Sequence, residues 1–467
     1  MNESYKHALH FAAQAAIEWR SEITAHPVAA TDNYTTALKR FGTTLPTQGL
    51  AAEQVLAQLV DNAEPGLCSY VHPRFLGWVV GSSHPVGVAA DWLTQAWGQN
   101  APIASVTPAA AAAEEVAGNW IKSALGLPGE AEIGFTTGAT MANTICLAAA
   151  RNSLLERAGW DVESQGLFGA PEVQVVLGEE AHASVYMALQ LLGFGAARVH
   201  RVPVDTQGRM SVSHCTVLME ALPDPILLIA QAGHINSGDF DPFAQLATLT
   251  AKRHAWLHVD AAFGIWVRLS RLRASRLEGV ELADSWAVDA HKWLQVPYDS
   301  GLALVRDKAA LTRAMSMSGS YLAHSDCRDP IATTPELSRR ARGFAVWSVL
   351  RHLGREGLCE LVERFCKIAE GLARELQKIP GIQLANTVAS NQVSFYCLTD
   401  GHSDDQRTEQ LLKRLQASNV CYPSDAIWQG RRIIRMSICA GDIQREDVAI
   451  IAQAVAQAVA QLQPHGS

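Results

Sequence analysis

The sequence lacks the features that mark membrane, secreted and nucleic-acid-binding proteins. No apolar run free of charges reaches bilayer-spanning length, and the N-terminal stretch has charged and polar groups where a signal peptide has its apolar centre. The lysines and arginines form no basic stripe, and the formal net charge is −8. We therefore predict a soluble protein that binds neither membranes nor nucleic acid.

Cysteine-pairing motifs are missing as well. The nine cysteines include no C-x-x-C pair, and an odd number cannot be fully paired within one chain. This pattern favours a reducing compartment, so we predict a cytoplasmic location. No metal site is predicted. With 48% hydrophobic and 18% charged residues, the composition is that of a compact globular enzyme.

The chain is long enough for two or three structural units. Residues 1–85 begin with an amphipathic helical pattern, which predicts a segment that packs on its own domain or forms a dimer. Residues 86–358 alternate short β-rich runs with helical stretches, which predicts a large α/β domain with a mainly parallel sheet covered on both faces. Residues 359–467 alternate helix and strand and predict a smaller α+β domain.

Five strands of the large domain can be placed from the apolar runs. They lie at residues 173–177, 226–231, 255–260, 285–288 and 302–305. A helix is predicted to begin after Thr107 as N-cap and to end at Gly126. In open α/β sheets, ligands bind at the carboxyl ends of the strands, so candidate site residues are sought there.

Two polar residues follow predicted strands of the large domain. Lys292 lies in AVDAHKWLQVPYDSG, and Asp260 closes a strand in HVDAAFG. Pyridoxal 5′-phosphate (PLP) requires such a pair, because a lysine forms the imine with its aldehyde and a carboxylate keeps its pyridine nitrogen protonated. The two motifs therefore predict a PLP site.

A phosphate-binding turn is predicted upstream. In GFTTGATMANTICLAAAR, Gly138, Ala139 and Thr140 lie where a strand-like run turns into a helix, and they offer backbone N–H groups and a hydroxyl at the positive end of the helix dipole. The segment has neither the G-x-G-x-x-G spacing of dinucleotide sites nor the G-K-[ST] end of a P-loop, which argues against NAD and ATP.

His182, in GEEAHASVY, follows the strand at 173–177 and precedes a helix. One interpretation is structural, a helix-capping or core histidine. The other is functional, an imidazole stacked on the PLP ring. Its position at the carboxyl end of a strand favours the second.

Together these segments resemble the group II PLP-dependent decarboxylases, the family of the aromatic amino acid, histidine and glutamate decarboxylases. The resemblance runs from HPRFLGWVVGSSHP at residue 72 to SRRARGFAVWSVLRHLGREG ending at residue 357, with TTGATMAN, EEAHASV, HVDAAFG and DAHKW in order between them. It implies the α/β architecture of fold-type I PLP enzymes, with a mainly parallel seven-stranded sheet and a smaller α+β C-terminal domain. The implied activity is that of a carboxy-lyase converting an L-amino acid to its amine and carbon dioxide.

The resemblance also implies roles for individual residues. Lys292 would be the Schiff-base lysine, Asp260 the partner of the pyridine nitrogen, and His182 and Ala262 the supports of the two ring faces. The positions implied around the phosphate are Ala139, Thr140, Asp289 and His291.

The resemblance extends to the substrate pocket and the assembly. Phe75 and Trp78 lie in the segment that helps to line the pocket, where they would suit an apolar or aromatic substrate, although a core or interface role fits either residue equally well. The implied assembly is a homodimer with active sites at the subunit interface.

One departure from the family pattern lies beside the cofactor. A threonine that contacts the cofactor's hydroxyl side in the aromatic decarboxylases is replaced by Ile235 in GHINSG, and His234 or Asn236 is a candidate substitute.

A second departure concerns protonation of the product. The stretch YLAHSDCRDPIATTPELSRRAR is shorter than the family's mobile catalytic loop and has no counterpart of that loop's tyrosine, which protonates the carbanion after carbon dioxide leaves. We predict residues 322–338 to be a mobile or partly ordered cover over the neighbouring subunit's active site. His182 is the predicted replacement proton donor, with Tyr321 as the alternative.

Two other functions remain open at this point. The missing tyrosine favours a PLP enzyme with another outcome, such as a decarboxylating aldehyde synthase, an aminotransferase or a carbon–carbon lyase. A catalytically silent binding protein is the third candidate, and the intact set of Lys292, Asp260 and His182 argues against it.

Overall fold

The computed structural model describes residues 3–42, 44–317 and 328–462. The helices in these ranges are α1 (Glu3–Ser21), α2 (Tyr34–Phe41), α3 (Ala52–Ala63), α4 (Pro85–Trp97), α5 (Pro108–Leu125), α6 (Ala139–Arg157), α7 (Val162–Gln165), α8 (Ala183–Leu191), α9 (Val212–Ala221), α10 (Phe243–Lys252), α11 (Lys308–Met315), α12 (Gly343–Leu376), α13 (Asp405–Ala417) and α14 (Arg445–Ala460). The strands are β1 (Glu132–Thr136), β2 (Gln174–Gly178), β3 (Val199–Val202), β4 (Ile226–Gln231), β5 (Trp256–Asp260), β6 (Ser285–Asp289), β7 (Gly301–Val305), β8 (Ile382–Leu384), β9 (Gln392–Thr399), β10 (His402–Ser403), β11 (Ser424–Trp428) and β12 (Arg431–Ser437).

The large domain is built on a seven-stranded sheet with the order β1-β7-β6-β5-β4-β2-β3. The strands from β6 across to β3 run parallel, whereas β7 is antiparallel to both of its neighbours, β1 and β6. Every residue of β5 and β6 is buried, because helices cover both faces. The predicted seven-stranded α/β sheet is therefore present, with the five predicted strands within one residue of their observed bounds.

Two apolar cores sandwich this sheet. Leu257 and Val259 of β5 face a core that also contains Ile121 of α5, whereas Trp256 faces a second core with Ile145 of α6. Alternation along the strand sends neighbouring side chains to opposite faces. Apolar side chains thus cover both faces of the sheet, and the polar side chains of interest lie at the strand ends.

The smaller domain contains an antiparallel sheet of β10, β9, β12 and β11, with β8 paired to β9. Helices α12 and α14 pack against each other and contribute Leu372 and Ile451 to the core shared with the large domain. The predicted domain boundary at residue 358 falls inside α12. The backbone of that helix breaks nearby, at Gly354, where φ is +60°.

The N-terminal segment is helical, as predicted, but contributes little to the core. Helices α2 and α3 contain no buried residue. Both α1 and α2 make their main contacts with α3. The segment exposes a series of large apolar side chains, namely Tyr5, Leu9, Ile17, Tyr34, Leu38, Phe41, Leu45, Leu50, Val55 and Leu59.

The predicted capping of α5 is half correct. The helix ends at Gly126 in the left-handed conformation (φ +65°), as expected. Thr107 precedes the helix but makes no side-chain cap, because its hydroxyl donates to the Ile103 carbonyl oxygen at 3.2 Å. Among the described residues, no helix combines the length and the apolar character needed to cross a bilayer.

The segment predicted as a mobile or partly ordered cover lies partly outside the described residues. Tyr321 lies wholly outside them. The described part comprises residues 328–338. Thr333 and Thr334 are buried, and Arg328 donates to Glu132 at 2.6 Å. This half is held by burial and an ion pair and is an anchored connection.

Candidate active site

A cavity of about 360 Å³ opens at the carboxyl edge of the main sheet. Strands β5 and β6 deliver Asp260 and Asp289 to this edge as their last residues, and the turn after β6 carries Lys292. Ten of the residues predicted from the sequence line the cavity: Trp78, Gly138, Ala139, Thr140, His182, Asp260, Ala262, Asp289, His291 and Lys292.

The Lys292 amine lies among carboxylates. Its Nζ is 2.9 Å from Asp289 Oδ2 and 6.0 Å from the centre of the Phe263 ring. Burial alone would lower the pKa of this amine, but the charge and hydrogen bond of Asp289, helped by the charge of Asp260, raise it above its usual value. The amine is therefore protonated at neutral pH and must lose a proton before it can attack a carbonyl carbon.

Asp260 is a buried carboxylate with little hydrogen bonding. Among the described residues it accepts one weak hydrogen bond, from the Ala262 amide at 3.3 Å. Burial raises its pKa, and the charges of His182 and Lys292 counteract this only in part. A carboxylate in this state would be stabilised by a cationic N–H donor entering the cavity.

Asp289 and His291 pack against the N-terminus of α6. Asp289 Oδ1 accepts from the Ala139 amide at 2.6 Å and lies 3.3 Å from His291 Nε2. His291 Nδ1 accepts from the Ser300 amide, so Nε2 carries the ring proton. Packing is tight here: a Cβ on Gly138 would lie 3.1 Å from His291 Cε1. One amide of the helix N-terminus is thus occupied by a carboxylate, and the other donors remain for an anion.

His182 caps a helix and lines the cavity. Its Nδ1 accepts from the Ser184 amide at 3.2 Å, which caps α8. The ring also lines the cavity, and because Nδ1 is an acceptor, the proton is on Nε2. Burial lowers the pKa of His182, and the positive charges of Lys292 and Arg435 act in the same direction. The negative charge of Asp260 opposes this decrease in part.

Trp78 and Phe75 differ in position. Trp78 has a left-handed backbone (φ +52°), is half exposed and lines the cavity. Phe75 is buried behind it, with its ring stacked on Tyr422 at 5.5 Å between centroids. Phe75 does not line this cavity and takes the core position that the sequence left open, because a backbone bridge to Tyr422 places it against the small domain.

The expected substitutes for the missing threonine do not reach the cavity. His234 is buried and its Nε2 contacts Glu180 Oε2 at 2.9 Å. Asn236 uses its Oδ1 to accept from Arg435. Ile235 itself lines the cavity, so an apolar side chain stands at this position.

Sequence reasoning missed Arg435 on β12. Its guanidinium is buried, donates to Asn236 Oδ1 at 3.1 Å and to Ser424 Oγ at 3.4 Å, and has no carboxylate partner among the described residues. Its Nε has no hydrogen-bond partner there. Burial lowers the pKa of Arg435 to about 10. The available signal was a cation inside the apolar run IIRMSI, since unpaired buried charges are rare.

Comparisons with known proteins agree with this geometry. The model of the pyridoxal-dependent decarboxylase conserved domain matches residues 35–398. The chain is 29% identical to an aromatic-L-amino-acid decarboxylase of Bacillus atrophaeus, over 85% of this chain and 83% of that protein. It is 30% identical to an L-2,4-diaminobutyrate decarboxylase of Rhizobium meliloti, over 71% and 68%. A crystal structure of Oryza sativa TDC with PLP and tryptamine superposes with a TM-score of 0.92 at 21% identity, over 99% of this chain and 98% of that one.

Proposed function

Given that the chain belongs to the pyridoxal-dependent decarboxylase family, and is therefore a PLP-dependent amino acid decarboxylase of the fold-type I architecture, we propose that its substrate has a bulky, uncharged side chain. We further propose that Lys292 binds the cofactor and that the enzyme acts as a cytoplasmic homodimer. The eight described cysteines are free thiols, which suits a reducing compartment.

The residues around the cavity fit PLP. The observation that carries the assignment is that the Lys292 amine and the poorly hydrogen-bonded Asp260 carboxylate share one cavity. When bound, PLP supplies a pyridinium ring into which the electrons of the breaking bond flow. Asp260 would hold the ring nitrogen and His182 and Ala262 would flank the ring. The N-terminus of α6, with Thr140, would hold the phosphate.

The substrate would lie between two cations of the protein. Arg435 has an unpaired Nε and a guanidinium without a carboxylate, so it suits the α-carboxylate of an amino acid. Trp78, Ile235 and Phe263 present apolar surface to the cavity. Asp289 is paired with Lys292 and Asp260 would be paired with the cofactor, and the described lining of the cavity contains no other Asp, Glu, Lys or Arg, which favours a neutral side chain.

Reduction with borohydride tests the role of Lys292. Treatment of the PLP-loaded protein should fix the cofactor covalently to the peptide that contains Lys292. The variant Lys292→Ala should lose this label, whereas Lys413→Ala, at an exposed ion pair, should keep it. Labelling of any other lysine would overturn the assignment.

The outcome of the reaction is tested by its products. An amino acid screen with the PLP-loaded protein should yield an amine and carbon dioxide, with aromatic substrates preferred over acidic and basic ones. The missing loop tyrosine supports a second candidate, a decarboxylating aldehyde synthase. The fold is shared with Rhodiola rosea 4-hydroxyphenylacetaldehyde synthase, at a TM-score of 0.89 and 20% identity. An aldehyde as the main product would favour that candidate.

The N-terminal segment supports the homodimer. Its exposed apolar side chains include Tyr34, Phe41 and Leu45, and an apolar surface of this kind is typical of an interface. A second apolar patch lies on α4, α5 and α12, where Trp120 and Trp347 stack at 6.1 Å and remain partly exposed. A second copy of the chain would cover such surfaces.

Sedimentation measures the assembly directly. The wild-type protein should sediment with twice the mass of the chain, and Tyr34→Glu combined with Leu45→Glu should shift it to the monomer. Phe168→Glu is the matched control, since Phe168 is fully exposed outside the segment. A monomeric wild type, or dissociation by the control alone, would contradict the proposal.

A further inference from the structure

Gln295 lies three residues after Lys292 in an unusual backbone conformation. Its φ is +60°, in the left-handed region, and the residue is 2% exposed. Residues other than glycine adopt this conformation only where the surroundings hold it in place. The contacts of Gln295 therefore indicate why this conformation is kept.

The side-chain amide of Gln295 joins two domains. Its Nε2 donates to the Lys292 carbonyl oxygen at 2.7 Å and to the Cys439 carbonyl oxygen at 2.8 Å. Its Oε1 accepts from the Gly441 amide at 2.8 Å. Three of the four hydrogen bonds available to an amide are thus made to backbone groups. One buried side chain ties the lysine turn to the segment that follows β12.

The backbone of Gln295 adds a third segment. Its carbonyl oxygen accepts from the His84 amide at 2.7 Å, which fixes the stretch that follows Trp78. The same stretch touches the lysine turn at Gly81, where a Cβ would lie 2.3 Å from the Lys292 carbonyl oxygen. The three segments therefore meet backbone to backbone, and a smaller or apolar side chain could not replace the amide without leaving polar groups unpaired.

The segment beyond β12 matters because β12 carries Arg435. Cys439 lies four residues after Arg435 and two residues after the last residue of β12. Any shift of the Cys439–Gly441 backbone relative to the lysine turn changes the separation between the Arg435 guanidinium and the Lys292 amine. The substrate would have to bridge these two groups, one from each domain.

We infer that Gln295 is a positioning residue that sets the register between Lys292 on the large domain and Arg435 on the small domain. This inference rests on the proposed function, in which Arg435 binds the substrate carboxylate. It assigns to Gln295 an effect on substrate binding and on the lysine, through backbone groups and without contact with either ligand.

The test compares Gln295→Leu with Asn386→Leu in the PLP-loaded enzyme. Asn386 is also buried and makes three hydrogen bonds to backbone groups, donating across the domains to the Ser237 carbonyl oxygen and, within its own domain, donating to the Gln392 carbonyl oxygen and accepting from the Ser394 amide. Both variants should lower the melting temperature by similar amounts. Only Gln295→Leu should raise KM at least tenfold and shift the pH at which the visible absorbance of the bound cofactor titrates, with PLP content unchanged.

Two results would overturn the inference. One is a Gln295→Leu enzyme with normal KM and an unchanged titration, and the other is an equal effect of both variants on KM and titration. If Gln295→Leu does not fold, Gln295→Met, which keeps the length of the side chain, takes its place. The titration needs only PLP bound at Lys292, so it remains informative if no amino acid is turned over, a result that would contradict the proposed function alone.

Discussion

Two buried carboxylates lie at neighbouring strand ends of the main sheet in opposite surroundings. Asp241 accepts hydrogen bonds from the Met210 amide at 2.7 Å and the Gln231 amide at 2.8 Å. Asp260, which pairs with Gln231 across the sheet, accepts only the 3.3 Å bond from Ala262 among the described residues.

The difference lies in how far the fold itself satisfies each carboxylate. Burial raises the pKa of Asp241 to about 6, yet its backbone donors satisfy both oxygens. Burial also raises the pKa of Asp260, but there the neighbouring charges of His182 and Lys292 replace backbone donors. A carboxylate that the fold leaves poorly bonded is available to a ligand.

Replacing each carboxylate by alanine should give the largest contrast. Asp260→Ala should reduce kcat/KM by about 100-fold or more, because the charge that keeps the pyridine nitrogen protonated is lost. Asp241→Ala should leave the activity per folded molecule near wild type and lower stability by about 1–3 kcal/mol for each orphaned amide. Steady-state kinetics and denaturant unfolding measure both. Near-normal turnover of Asp260→Ala would mean that the electron-sink role is misplaced.

His182 extends the comparison to the neighbour of Asp260. If His182 delivers the proton to Cα, His182→Gln should slow amine formation by about 100-fold while PLP affinity changes far less. Tyr321→Phe should have a smaller effect. Rapid-quench product analysis with PLP titration distinguishes the two. Should Tyr321→Phe divert the product to an aldehyde while His182→Gln leaves amine formation intact, the donor is the tyrosine.

Arg435 is the cationic counterpart of Asp260, a buried charge with incomplete hydrogen bonding. Arg435→Met should raise KM about 10- to 100-fold, since a hydrogen bond to a charged group contributes about 1.5–3 kcal/mol. Arg432→Met is the control on the same strand, because Arg432 is ion-paired with Asp425. Equal KM values for the two variants would remove Arg435 from the substrate site.

The smallest expected effect is the pH dependence contributed by Asp241. Its folded pKa of about 6 lies above the model-peptide value of 3.8, so the folded state binds the proton more tightly than the unfolded state. The contribution of Asp241 to stability therefore falls as pH rises from 3.8 to 6, by at most about 1.4 kcal/mol per pH unit. The stability gap between wild type and Asp241→Ala should widen on acidification from pH 7 to 4.5 and stay constant above pH 7. A stability gap that narrows on acidification would contradict the expected direction of the pKa shift.

The sequence predicted the part of the site that local patterns control. Lys292, Asp260 and Gly138 each follow a strand, and strand ends of a parallel sheet meet at one edge. Strand β3 was missed because His200 and Arg201 interrupt its apolar run at the sheet edge. The antiparallel direction of β7 depends on the path of the connection from β6, which periodicity does not describe.

Contacts between distant segments could not be predicted. Arg435 meets Asn236 of the large domain only because the small domain docks there, and Gln295 bonds to residues far along the chain. Phe75 and Trp78 are in a loop without periodicity, so nothing in the pattern tells which ring faces the cavity. The left-handed backbone at Trp78 determines that its ring is the one that faces the cavity.

The order of strands has a consequence for synthesis of the chain. Among the described strands, β1 is bonded only to β7, and Glu132 pairs with Val305. At roughly 5–20 residues per second, a ribosome needs roughly ten to thirty seconds to reach that partner. The backbone of Gly301 also packs against Gly138, where a Cβ would lie 2.4 Å from the Gly138 Cα. The predicted phosphate-binding turn therefore gains the strand that supports it late in translation, and we expect cofactor loading to follow completion of the large domain.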